Sequence, residues 1–170
     1  AYCPMSPDIS EDTTSRIFGY IGLIGQYAHG NEPSHHIVHL YNYVNQSWKT
    51  QQLIDTILHT QYFNNPNGLS GNEDCGQMSA WYVLNAMGFY QVCPGSPIYS
   101  VGRPIFDKVT INLPNGKVFE IIANNNSLTN KYIQSIRLDN ILLESPFFMH
   151  SDIMKGGKIV MEMGNTPVKQ

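Results

Sequence analysis

Two adjacent carboxylates stand in the segment GNEDCGQMSAW, residues 71–81, directly before a predicted helix. In one interpretation Asn72 caps this helix, and Glu73 and Asp74 lie in its first turn, where the helix dipole favours negative charge. In the other interpretation the turn presents a carboxylate to a substrate, as general acid or base chemistry requires. The segment alone allows both.

A second polar segment, YAHGNEPSHH at residues 27–36, sets Asn31 and Glu32 among several histidines. His35 and His39 stand four residues apart on one predicted helix face, a spacing that can bind zinc with Glu32 as a third ligand or base. Alternatively, the Glu32 carboxylate and the Asn31 carbonyl supply hard oxygen ligands that suit calcium. The spacing does not choose between the two metals.

Both segments belong to long loops rich in Gly, Asn and Pro, at residues 25–33 and 64–76. Loops on a rigid scaffold commonly carry binding sites, and here the scaffold is predicted to be helical. The apolar residues that define the three helices are Ile37, Leu40, Tyr41 and Val44 within 34–45, Leu53, Ile54, Ile57 and Leu58 within 47–63, and Met78, Trp81, Tyr82 and Leu84 within 76–87.

The pattern changes near residue 97, after which apolar and polar residues alternate between turn signals. VTINL, KVFEII, YIQSIRL and KIVMEM are predicted strands of an antiparallel sheet. The segment LPNGK at residues 113–117 predicts a hairpin, because Asn-Gly tolerates positive φ.

Composition excludes several classes of function. The 170 residues carry a formal charge of −3, with lysines and arginines scattered, so neither nucleic acid nor a membrane is expected as a partner. No apolar run approaches the roughly 20 residues that span a bilayer. The first residues, AYCPMSPDIS, do not resemble a signal peptide, so any export signal is expected on a longer precursor.

The cysteine count is odd, and its spacing does not suit a metal site. Cys3, Cys75 and Cys93 therefore predict neither a disulfide framework nor a zinc knuckle. Cys75 and Cys93 are expected to be buried free thiols.

Several motifs in order resemble one enzyme family. HGNEPSHH is followed by YNY, WKTQ, GLSGNEDCGQMSAWYVLNAMGFY, CPGSPIYSVGRPIFDK and NGKVFEIIANNNSLTNKYIQS. Over most of the chain they resemble the C-terminal part of glycoside hydrolase family 92, whose members are calcium-dependent, inverting exo-α-mannosidases with an (α/α)6 barrel and β-sandwich modules. The resemblance implies an α+β chain, with barrel helices in residues 1–96 and an antiparallel β-sandwich portion in residues 97–170.

The resemblance also implies roles for individual residues. Asp74 matches the general base that activates water, and Asn72 stands where some members have a second, assisting aspartate. Glu32, with Asn31 beside it, matches the segment that forms the calcium and sugar subsite, and His29 is a further candidate for a sugar contact. With Asp74 as the base, its neighbour in the GNED turn can be structural.

Inverting hydrolysis also needs a protonated carboxyl group on the other side of the scissile bond. Family members supply it from a glutamate in a Trp- and Gly-containing segment upstream of HGNEP, and these residues contain no such segment. The acids before the motif are Asp8, Glu11 and Asp12. The resemblance therefore implies a C-terminal fragment, inactive alone, that needs the preceding part of the same protein.

For the complete protein the resemblance implies mannose-containing glycans as substrates and a secreted or periplasmic location. The competing hypothesis is a non-catalytic or structural module that binds sugar and calcium through the same Glu, Asn and aromatic side chains.

Overall fold

Helices dominate the first half of the described chain, which is residues 22–169 of this computed structural model. A two-stranded hairpin (β1, Leu23–Ile24; β2, Tyr27–Ala28) is followed by a 3-10 turn at Glu32–Ser34 and a 3-10 helix at Ile37–Val44. Two α-helices come next, α1 at Ser47–Thr60 and α2 at Gln77–Met87. All three predicted helices therefore exist, within a few residues of their predicted ends.

The 3-10 helix differs from the prediction in the face that it buries. Its predicted apolar stripe points outward, since Ile37, Leu40 and Val44 are 42%, 44% and 58% exposed. Polar bonding explains the difference, because the Asn42 amide donates to Ser100 Oγ at 2.7 Å and so holds the opposite face against β4 (Ile98–Val101). The buried residues are Val38, His39 and Asn42.

The two α-helices bury residues that helical periodicity selected. Ile54, Ile57 and Trp81 have no exposed surface, and they form a core cluster with Val38 and Leu58. The predicted Leu53 and Tyr82 pack at the edge of this cluster.

The second half forms a five-stranded sheet in the order β5-β6-β10-β7-β8. β10 pairs parallel with β6 and antiparallel with β7, so the predicted antiparallel sheet contains one parallel pair. The exception arises because β9 and a short helix, α3, carry the chain back past β6 before β10 begins. The bounds are β5 Lys108–Asn112, β6 Val118–Asn124, β7 Tyr132–Leu138, β8 Ile141–Leu142, β9 Phe147–Met149, α3 His150–Lys155 and β10 Gly157–Gly164.

The predicted hairpin joins β5 to β6. Leu113 N–H donates to the Lys117 carbonyl at 2.9 Å, which closes the turn. Gly116 has φ 78, so glycine supplies the left-handed residue that the turn needs.

A three-stranded sheet, β3-β4-β9, packs over one face of the five-stranded sheet. Their common core includes Phe89, Phe119 and Phe148. Because β3 (Phe89–Tyr90) pairs with β4, hydrogen bonds cross the predicted domain boundary between residues 96 and 97. The division into a barrel part and a sandwich part, and the (α/α)6 barrel itself, stay predictions.

Buried polar contacts fix α1 to the β-strands. Asp55 on α1 pairs with Arg103 at 3.1 Å and with Lys131 at 3.0 Å, and the Arg103 side chain is 3% exposed. The Gln51 side-chain oxygen accepts from the backbone N–H of Ile133 at 3.0 Å. α1 thus has a fixed position relative to the sheet.

Over residues 22–169, none of the helices has the length and apolar character that crossing a membrane requires.

Candidate functional site

Two loops of the predicted site touch through glycines. A side chain on Gly71, which has φ 75, would overlap the carbonyl oxygen of Gly30, so the two backbones approach without space for a Cβ. This contact places the Asn31–Glu32 segment beside the segment that carries Asp74. The structure therefore brings together the two motifs that the sequence nominated separately.

Glu32 carries the least satisfied group of the site. Its Oε1 atom is buried, and no hydrogen-bond donor within residues 22–169 reaches it. A buried carboxylate oxygen without a partner is costly, and a cation or a sugar hydroxyl would relieve that cost. Asn31 is exposed and precedes Glu32 in extended conformation, with φ −124 and ψ 104.

His29 lies behind this surface. Its side chain is fully buried, and its ring nitrogens bond to the hydroxyls of Tyr27 at 2.9 Å and Tyr62 at 2.6 Å. Tyr62 donates its own hydrogen to the Met78 carbonyl at 3.1 Å, so we assign the ring hydrogen to Nε2. Both ring nitrogens are thus engaged by tyrosines, and the sugar contact suggested for His29 stays a prediction.

Burial lowers the pKa values of two histidines, His29 and His39. Desolvation, followed by the charge of the neighbouring His35, lowers the pKa of His29 to about 3. Desolvation lowers the pKa of His39 to about 4, although its hydrogen bond to Asn85 opposes that shift. Both rings are therefore neutral at ordinary pH, which is the form that their hydrogen bonds need.

The zinc interpretation requires free nitrogens on His35 and His39, and both rings are engaged. His35 Nε2 bonds to the His29 carbonyl at 3.0 Å, and its Nδ1 accepts from Gln77 at 3.2 Å. His39 bonds to Ser100 Oγ at 3.1 Å and to Asn85 Oδ1 at 3.0 Å.

In the part of the chain that the structure describes, no three His, Cys, Asp or Glu side chains form a metal-binding group. Oxygen donors from Glu32 and Asn31 remain as the candidate calcium ligands, to be completed by carbonyls, water or substrate.

The neighbouring carboxylates of the GNED turn have separate surroundings. Both oxygens of Glu73 bind Ser79 in the first turn of α2, whereas Asp74 is exposed. The residue at the cap position itself is Gly76, with φ 91, so the predicted capping role of Asn72 is wrong. Asn72 is exposed in the same loop as Asp74.

Both described cysteines are free thiols, as predicted, but they are exposed rather than buried. Cys75 belongs to the left-handed stretch that precedes α2, with φ 58, and such a turn lies at the surface. Cys3 lies outside the described residues, as do Asp8, Glu11 and Asp12.

Sequence reasoning missed the aromatic layer beneath the loops. Trp81 packs against His29 with ring centroids 4.4 Å apart, and its indole N–H donates to the His35 carbonyl at 3.1 Å. Tyr27 and Tyr62 complete the layer through the hydrogen bonds to His29. Aromatic residues around the motifs were the available signal, but their partners are far apart in sequence.

Known proteins are similar to this chain in sequence. Residues 10–165 match the model of the glycosyl hydrolase family 92 catalytic domain. A protein of Arthroderma benhamiae, named an uncharacterized secreted glycosidase, is 27% identical over 138 residues, which are 79% of this chain and 18% of that protein.

Solved structures of family GH92 enzymes are also similar to this chain. A family GH92 α-mannosidase from Bacteroides thetaiotaomicron is 40% identical, with a TM-score of 0.85 over 98% of this chain and 21% of its own. Its complex with mannoimidazole gives 38% identity and a TM-score of 0.84 over 93% and 22%. A GH92 inverting mannosidase from Bacteroides thetaiotaomicron VPI-5482 is 43% identical, with a TM-score of 0.79 over 84% and 19%. The chain spans about a fifth of the length of these relatives.

Proposed function

The chain belongs to glycosyl hydrolase family 92, and from this premise we propose that it supplies the general base and part of the calcium site of an inverting α-mannosidase. Two relatives are named an α-mannosidase and an inverting mannosidase, and the former was solved with mannoimidazole. The proposed substrates are terminal α-mannosidic linkages of mannose-containing glycans.

The observation that carries this proposal is the buried, unpartnered Oε1 of Glu32 beside the loop of Asp74. Glu32 and Asn31 would hold a calcium ion, which prefers carboxylate and carbonyl oxygens. A calcium ion held there would supply positive charge that attracts and orients sugar hydroxyls. Glu32 would in turn lose the cost of an unsatisfied buried oxygen.

Asp74 is the proposed base. Its carboxylate is exposed, and the residue lies shortly before the N-terminus of α2. It would accept a proton from the water that attacks the anomeric carbon, a role that needs space for that water. Asn72 can bind the same water but cannot take its proton, so it would assist only by orientation.

The remaining parts of the enzyme are proposed to lie in the preceding part of the same protein. The general acid is the first of these, and without it the chain alone should release no mannose from a glycan. Mannose release by the purified 170-residue chain would contradict this assignment. Since one relative is named a secreted glycosidase, we propose a secreted or periplasmic location for the complete protein.

The stereochemical test uses the complete enzyme and Asp74→Asn. Asparagine keeps the size of the side chain but cannot accept the proton, so kcat should fall by about two orders of magnitude or more while the folded structure persists. Asp107→Asn, at another exposed acid, is the matched control and should retain activity. Proton NMR should detect β-mannose as the first sugar released from an α-mannoside by the unmodified enzyme.

Two results would contradict the proposed base. Initial α-mannose, or a covalent glycosyl adduct on Asp74, would make this residue a nucleophile. Full activity of Asp74→Asn would place the base elsewhere.

Calcium is tested by chelation of the complete enzyme. Activity should disappear with EDTA and return with calcium but not with zinc, because oxygen donors favour the harder ion. Glu32→Gln should raise the calcium concentration needed for recovery by at least about tenfold, since it removes a ligand charge. Glu144→Gln, at an exposed glutamate, is the control. Recovery with zinc alone would reverse the choice of metal.

A further inference from the structure

We propose that Glu73 is a positioning residue, which fixes the backbone that presents Asp74 to the substrate. The inference rests on the proposed role of Asp74 as the base. Glu73 Oε1 accepts from the backbone N–H of Ser79 at 3.1 Å, and Oε2 accepts from the Ser79 hydroxyl at 3.0 Å. One carboxylate thus ties the turn to the first turn of α2 at two points.

The backbone between these anchors has an unusual conformation. Asp74, Cys75 and Gly76 have φ values of 45, 58 and 91, so two successive non-glycine residues adopt the left-handed region before the helix starts. Such residues are uncommon, and their conformation persists only where the surroundings enforce it. Hydrogen bonds from Met78 N to the Glu73 carbonyl at 3.3 Å and from Gln77 N to the Asp74 carbonyl at 3.2 Å close the same turn.

The side chain of Asp74 does not contribute to this anchoring. Asp74 is exposed, so the direction of its carboxylate depends on the backbone that carries it. The helix also lacks a side-chain cap at Gly76, which leaves Glu73 to satisfy the N–H of Ser79. Loss of the Glu73 side chain would therefore remove hydrogen bonds that fix both the start of α2 and the turn that positions Asp74.

Displacement of Asp74 from its position would lower the rate of the chemical step. Displacement of a catalytic group by about 1 Å can cost about a hundredfold in rate. Contacts with bound sugar would persist, because the proposed calcium and sugar subsite lies on the other loop, at Asn31 and Glu32. The expected signature is a loss in kcat with little change in KM.

The experiment measures kcat and KM on α-linked mannobioses with the complete enzyme. Glu73→Ala should lower kcat at least about tenfold and change KM by less than about threefold. Glu73→Gln should stay within about threefold of the parent kcat, because its amide can accept from Ser79 N–H and donate to Ser79 Oγ. Ser79→Ala should give a smaller loss than Glu73→Ala, since one of the two bonds survives.

Asp152→Ala is the matched control for a purely structural role. Asp152 caps the start of α3 by accepting from the Met149 N–H at 2.9 Å, so its loss should lower thermal stability without lowering kcat. If Glu73→Ala behaves like Asp152→Ala, or if Glu73→Gln loses as much kcat as Glu73→Ala, Glu73 is not a positioning residue. An active Asp74→Asn would instead overturn the assignment of the base, which separates the two failures.

Discussion

At the residue scale, chemistry in this site depends on surroundings more than on residue type. Glu73 and Asp74 are adjacent acids, but the first makes two hydrogen bonds to Ser79 and the second is open to solvent. His29 belongs to the family motif, yet two tyrosines occupy its nitrogens. Among the residues of the two motifs, Asp74, Asn72 and Asn31 are exposed, and Glu32 has a buried oxygen without a partner within residues 22–169.

Gly71 tests whether the contact between the two loops matters. Gly71→Ala should destabilise the site, because a Cβ would overlap the Gly30 carbonyl in addition to the strain of φ 75. We expect loss of about 2 kcal/mol or more of stability and a higher calcium requirement in the complete enzyme. Unfolding by urea and calcium titration of activity measure the two effects.

Gly95→Ala is the control, since Gly95 has φ 86 and a Cβ at this position would meet no atom within 4 Å. This variant should show only the strain of a non-glycine residue in the left-handed region, about 1 kcal/mol. Equal effects at both glycines would mean that the approach of Gly71 to Gly30 has no role in holding the site together.

At the element scale, local signals predicted the elements and long-range contacts decided their packing. The ends of α1 and α2 and the turn at Gly116 follow from periodicity and turn chemistry. The buried face of the 3-10 helix could not be predicted, because its Asn42 bonds to Ser100, 58 residues away. The parallel pairing of β10 with β6 likewise depends on how α3 returns the chain.

In the candidate site, too, local sequence signals predicted some features and long-range contacts decided the others. The order of the motifs pointed to both loops, and the two neighbouring carboxylates have different surroundings, although their separate roles stay predictions. The close approach of Gly30 and Gly71, the burial of His29 and the exposure of Cys75 all depend on packing between distant segments. A sequence pattern indicates which residues belong to a site, but it does not fix which of them face the substrate.

Packing between elements also predicts a dependence of stability on pH. His29 and His39 have pKa values of about 3 and 4 in the folded chain, against an ordinary value of 6.5. Below pH 6.5 the unfolded chain binds protons that the folded chain does not, so the free energy of unfolding is largest above that pH. It should fall by about 1.4 kcal/mol per pH unit for each histidine as pH drops towards about 4.

The measurement is urea unfolding, monitored by tryptophan fluorescence, between about pH 7 and about pH 4.5, a range that spans the ordinary histidine pKa. His39→Gln should remove the contribution of one histidine, about 1.4 kcal/mol per pH unit, from the dependence of the free energy of unfolding on pH. The substitution should also lower the free energy of unfolding at neutral pH. An unchanged slope in this variant would show that His39 is protonated in the folded state.

At the scale of the whole molecule, the outward face of the 3-10 helix needs an explanation. Ile37, Leu40 and Val44 are 42%, 44% and 58% exposed, and Tyr43 beside them is 54% exposed. The chain corresponds to about a fifth of its relatives, so the remaining part of the enzyme offers far more surface than residues 22–169 do. We expect that part to cover this apolar face, as additional helices of a barrel would.

Leu40→Lys in the complete enzyme tests this expectation. If the face is covered, an unpaired charge would be buried in an apolar contact, and stability should fall by about 2 kcal/mol or more. Leu128→Lys is the control, because Leu128 is 75% exposed in the turn before β7, and it should change stability by less than about 0.5 kcal/mol. Thermal unfolding of both variants distinguishes the outcomes: equal, small effects would show that the 3-10 helix faces solvent in the whole enzyme as well.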